Sequence, residues 1–66
     1  MMEVFIVTKN GGYLVGVPYT DTLMVRWSVN KYDAAQFHRR RIARRVADRV
    51  GGRVVIFNPL NGNITA

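Results

Sequence analysis

The amino-acid sequence predicts an α+β fold of order β-β-β-α-β, with one helix packed on a mostly antiparallel four-stranded sheet. Three observations carry that expectation. Short runs of β-branched and aromatic residues are punctuated by turn residues, one stretch has helical periodicity, and a Gly-Gly stop separates that stretch from a final apolar run. With 66 residues the chain makes one domain, 1–66, in which 58–66 reads as a turn and a short C-terminal tail. A domain this small removes only about 60% of its unfolded surface from water, so its core is thin.

Glu3 to Lys9 is rich in β-branched and aromatic side chains and reads as the first strand. Asn10-Gly11 follows, a pair that takes positive φ cheaply and so closes a tight hairpin onto a second strand, Tyr13 to Val17. Pro18 lacks a ladder donor and opens a turn through Thr22. Leu23 to Ser28 then alternates Leu23, Val25 and Trp27 with Met24, Arg26 and Ser28, the pattern of a third strand.

Asn30 to Phe37 reads as an irregular segment, with one turn of helix over Asp33 to Gln36. The main helix is expected from His38 or Arg39, because at about 100° per residue an earlier start would bury the Arg39 guanidinium. Ile42, Ala43, Val46, Ala47 and Val50 form its apolar stripe. Phe37 stands just outside, placed to staple onto Ile42, and Gly51-Gly52 supplies the left-handed stop. Arg53 to Asn58 is almost continuously apolar, a buried strand expected beside the first and parallel to it.

Both sides of the two central strands are apolar, yet one helix covers one side. A second copy of the chain is the economical cover, so a homodimer is expected, with Phe5, Val7, Val55 and Phe57 on the second face. The alternative is a monomer whose twist, Tyr13, Trp27 and tail wrap that face.

Charge is the most informative feature for function. Ten basic and four acidic side chains give +6, and the whole excess lies between His38 and Arg53. Arg39, Arg40, Arg41, Arg44, Arg45 and Arg49 crowd the helix, with Asp48 as its one acid. The like-charged i,i+4 pairs Arg40/Arg44, Arg41/Arg45 and Arg45/Arg49 together oppose the helix by about 1 kcal/mol. Three arginines at the first turn also meet the positive end of the helix dipole. An anionic partner relieves both penalties, so these six residues are the candidate binding site. Nucleic-acid backbone and an acidic protein surface are the candidate partners, with a merely solvated face as the alternative.

Other chemistry is thinly represented. There is no cysteine, one histidine, and acids that stand singly, so no nucleophile, paired-carboxylate or metal-ligand spacing points to an enzyme, a cofactor or a small-molecule substrate. A nuclease assembled from separated acids across a dimer is the residual enzymatic alternative. No apolar run approaches the roughly 18 residues of a membrane span, and a soluble, cytoplasmic protein is expected. Helix-turn-helix, zinc-finger and ribonucleoprotein signatures are missing, so binding to nucleic acid would act through backbone charge.

Asn10-Gly11-Gly12-Tyr13-Leu14, Trp27-Ser28, Asp33-Ala34 with Phe37, Ala43, Val46-Ala47, Val50-Gly51-Gly52 and Val54-Val55 together resemble the small accessory proteins encoded by phages and prophages of Gram-positive bacteria. The resemblance covers most of the chain, although His38-Arg39-Arg40-Arg41 stands where such proteins often have a Ser or Thr cap and an acidic first turn. It implies a protein made during infection or lysogeny, in the host cytoplasm, that acts stoichiometrically on host or phage machinery. The arginine face itself leaves, as the alternative to nucleic acid, an inhibitor of a host protein that meets it with acidic side chains.

Overall fold

The computed structural model describes residues 3–16 and 25–66. It is a small α+β domain with one α-helix on a five-stranded antiparallel sheet. Strands β1 (Val4–Lys9), β2 (Gly12–Leu14), β3 (Trp27–Ser28), β4 (Arg53–Asn58) and β5 (Asn63–Thr65) lie in the order β3-β2-β1-β4-β5, and α1 spans Arg40–Val50. The expected turn at Pro18–Thr22 and the start of the third strand at Leu23 and Met24 lie outside the described residues, as does Val17. Within the described part the second and third strands are shorter than the sequence suggests.

The β1–β2 hairpin closes as its sequence requires. Asn10 and Gly11 have φ of 53° and 80°, the two positive values of a mirror-image tight turn, and Lys9 faces Gly12 across it. β4 lies beside β1, as expected, but runs antiparallel to it, with Val4 opposite Phe57 and Val7 opposite Val54. Parallel pairing assumed that the helix itself returned the chain. The return is made earlier, by Asn30–Phe37, so the helix runs in the direction of β1 and β4 comes back against it.

That return segment is the least regular part of the fold and organises the rest. Asn30 Oδ1 accepts from the Tyr32 amide, which starts a 3₁₀ turn over Lys31–Asp33, earlier than the helical turn expected at Asp33–Gln36. The chain then enters the plane of the sheet where β1 and β2 part: the Ala35 amide donates to Leu14 O, and Phe37 exchanges two backbone hydrogen bonds with Phe5. It passes from one face of the sheet to the other through this gap. Ala34 belongs to the core on one side and Phe37 to the core on the other.

Two apolar clusters result. On the helix side, Val7, Leu14 and Phe37 pack with Ala43, Val46 and Ala47 of α1, and Phe5, Trp27, Val50 and Val54 surround them. On the opposite side, Val4, Ile6, Val55 and Phe57 pack with Ala34, and Tyr13 borders them. Tyr32 stands edge-on over Phe57, with ring centroids 5.5 Å apart. The return segment thus supplies the second cover within one chain. The antiparallel register also divides the four residues expected to share a dimer face: Phe5 and Val7 lie on the helix side, whereas Val55 and Phe57 lie opposite. Val7 and Phe57 are fully buried in the single chain.

The expected tail is a strand. Asn58 Oδ1 accepts from the Leu60 amide, Gly62 takes φ of 77° and donates to Asn58 O, and β5 returns against β4 with Ile64 opposite Phe57. Three residues are too few for periodicity to announce a strand. No helix among the described residues is long and apolar enough to cross a membrane.

Candidate nucleic-acid interface

α1 begins without the usual cap. Arg39 occupies the N-cap position with extended backbone angles, makes no side-chain cap hydrogen bond, and is followed by a first turn without an acid. Ala43 N donates to Arg39 O at 3.1 Å to start the ladder. The other end is well closed: Gly51 is left-handed at φ 74°, Gly52 N donates to Ala47 O at 2.8 Å, and Lys9 Nζ donates to Val50 O at 3.0 Å. A basic side chain from β1 thus meets the negative end of the helix dipole.

The helix buries Ala43, Val46 and Ala47 and half-buries Val50. Ile42, counted in the apolar stripe from the sequence, is 41% exposed at its border, and Phe37 is buried in the core cluster on the helix side. Arg39, Arg40, Arg41, Arg44, Arg45 and Arg49 are all exposed, as the sequence predicts. Among the described residues no guanidinium group of α1 takes part in a side-chain hydrogen bond. Asp33, in the 3₁₀ turn, accepts from Ser28 Oγ at 3.0 Å.

The six do not form one uniform patch. At about 100° per residue, Arg41, Arg45 and Arg49 run in a row from the solvent apex toward one flank, and Arg40 and Arg44 stand on the other. The second flank faces β4 across an open groove of about 350 Å³, lined by Arg40, Arg44, Ala47, Asp48, Gly52, Arg53 and Val54. Arg53 was not among the site residues expected from the sequence. The signal was available, since Arg53 lies in the same charge-rich window and directly follows Gly51-Gly52. A stop that tight folds the next residue back along the helix it ends.

The aromatic side chains, whose faces would be needed to stack on bases, are mostly engaged elsewhere. Tyr13 borders the second core cluster, Trp27 packs against the first, and Tyr32 covers Phe57, while Tyr19 lies outside the described residues. His38 is exposed at the approach to the helix. Among the described residues no group of three His, Asp or Glu side chains is placed to hold a metal ion. Chemically, the arrangement offers fixed positive charge and planar donor forks on a rigid element. Comparison with protein-family models, curated proteins and solved structures gave no match.

Proposed function

We propose that this chain is a non-enzymatic binding protein whose arginine helix docks on nucleic-acid backbone. One observation carries the reading: an 11-residue helix with exposed guanidinium groups at Arg40, Arg41, Arg44, Arg45 and Arg49 also begins on an uncapped, exposed Arg39, with no acid in its first turn. Alone, that helix sacrifices stability to like-charge repulsion and to its dipole. Against a polyanion both penalties are offset by attraction, and release of condensed counterions adds a favourable term.

The reading specifies the kind of recognition. Charge at the helix contacts phosphate without reading base edges, so the protein binds unrelated sequences with similar affinity. Its action is stoichiometric and cytoplasmic, in keeping with the sequence resemblance to phage accessory proteins.

The test is anisotropy titration of labelled duplexes of unrelated sequence over a range of salt concentrations. The expected result is similar affinity for each duplex, falling log-linearly with salt at a slope of about 0.9 per phosphate neutralised. Absence of binding at low salt overturns the reading. Recovery from host lysate of a stable protein complex that survives nuclease treatment redirects it to an acidic protein target. Arg40→Glu with Arg44→Glu should abolish binding and leave the circular dichroism spectrum intact.

A further inference from the structure

We infer that the groove between α1 and β4 is the seat of a backbone phosphate, held by Arg40 and Arg44 from the helix and by Arg53 from the strand. This rests on the nucleic-acid reading above and assigns unequal roles to arginines that the sequence presents as one run.

The groove is built from two elements, which separates it from a charged helix face. Arg40 and Arg44 stand one turn apart, about 6 Å along the axis, on the flank that faces β4. Arg53 comes to the same groove because α1 stops at Gly51 and the chain reverses through Gly52. That reversal is rigid. A Cβ at Gly52 would lie 2.8 Å from Val7 Cγ1 and 2.9 Å from Thr8 O, so the helix end is pressed directly on β1. Three cationic forks therefore border one open space of about 350 Å³ with a single carboxylate, Asp48, on its wall. The surplus positive charge is confined to a place where a ligand has room.

Geometry favours phosphate over carboxylate as the occupant. A carboxylate is planar and is satisfied by one guanidinium fork in its own plane. A phosphodiester presents oxygens in several directions, and a seat with donors on both a helix and a strand serves such a shape. By contrast, Arg41 stands at the solvent apex of the helix and Arg45 and Arg49 turn toward the other flank, outside the groove lining, and supply a general field. Asp48 opposes an incoming phosphate and moderates the affinity of the seat.

The experiment compares single substitutions of equal charge change in the full chain, with a labelled DNA duplex of arbitrary sequence as probe. Arg53→Ala should weaken binding about tenfold and lower the salt slope by about 0.9, whereas Arg49→Ala should weaken it only two- to threefold. Asp48→Asn should tighten binding several-fold. Equal losses for Arg53→Ala and Arg49→Ala overturn the seat while leaving backbone binding in place. If the wild type binds no duplex, the broader reading fails, and sodium tripolyphosphate followed by amide and guanidinium NMR shifts decides the seat independently. Shifts concentrated on Gly52, Arg53 and the Arg44 side chain support it; uniform or absent shifts overturn it. A poly-glutamate peptide that displaces tripolyphosphate at lower charge concentration also overturns it, in favour of an acidic protein. Circular dichroism of each variant, expected to match wild type, keeps misfolding from passing as lost binding.

Discussion

Phe5 and Phe37 exchange two backbone hydrogen bonds of 2.8 Å, and through them the return segment is fastened into the plane of the sheet. Phe37 is buried against the helix side of the core. Its truncation empties a large volume and loosens the element that fixes the helix direction. Phe37→Ala should therefore destabilise the domain by about 3–5 kcal/mol, read from urea unfolding. A loss below about 1 kcal/mol would show that the segment is peripheral. Slow amide exchange at Phe5 and Phe37 is the complementary expectation.

The uncapped start of α1 gives a prediction in which stability and binding move oppositely. Arg39→Asp supplies a side-chain acceptor at the N-cap and removes a cation from the positive end of the dipole. It should stabilise the fold by about 1 kcal/mol and weaken duplex binding. Thermal unfolding and anisotropy on the same sample check it. A variant that gains stability without losing affinity would remove Arg39 from the interface.

Gly51 and Gly52 should differ in their response to alanine, for separate reasons. Gly51 has φ of 74° but open surroundings, with Lys9 Nζ 3.4 Å from an added Cβ. Gly51→Ala should cost about 1 kcal/mol, from backbone conformation alone. Gly52→Ala drives a methyl group into Val7 and the Thr8 carbonyl, so it should cost at least twice as much. Equal melting temperatures would contradict this close approach.

Because the arginines of α1 repel one another, added salt should stabilise the free protein. Raising NaCl from about 10 mM to about 300 mM shortens the screening length several-fold and should raise the thermal midpoint by a few degrees. A midpoint that falls with salt would indicate internal ion pairs that the structure does not contain among its described residues.

Lys9→Met should cost about 0.5–1 kcal/mol, since it deletes the bond to Val50 O at the helix C-terminus. The cost should shrink in high salt. A salt-independent loss would locate the effect in packing of the aliphatic stem instead.

Much of this fold was readable in the sequence, and what was not has definite causes. The Asn10-Gly11 turn and the helix limits near Arg39 and Gly51 follow from local chemistry, and the adjacency of β4 to β1 from the apolar character of both strands; each occurs. The direction of β4 does not follow. It depends on which segment reverses the chain, and Asn30–Phe37 carries no periodicity that marks it as a crossing. On the second face Ala34 packs with the core and Tyr32 stands over Phe57, contacts that nothing in the local sequence marks. At the site, exposure of the six arginines was legible from the helical wheel. Which flank faces β4, and the part played by Arg53, required the position of β4.

The pairing of β1 with β4 has a consequence for how the protein comes into being. Val4 meets Phe57, so the central ladder joins stretches from opposite ends of the described chain. A growing polypeptide can form its first hairpin and begin its helix early, but Ile6 and Val7 stay wet until β4 leaves the ribosome. Closing so long a loop is slow compared with local events. The groove between α1 and β4 therefore exists only once that long loop has closed.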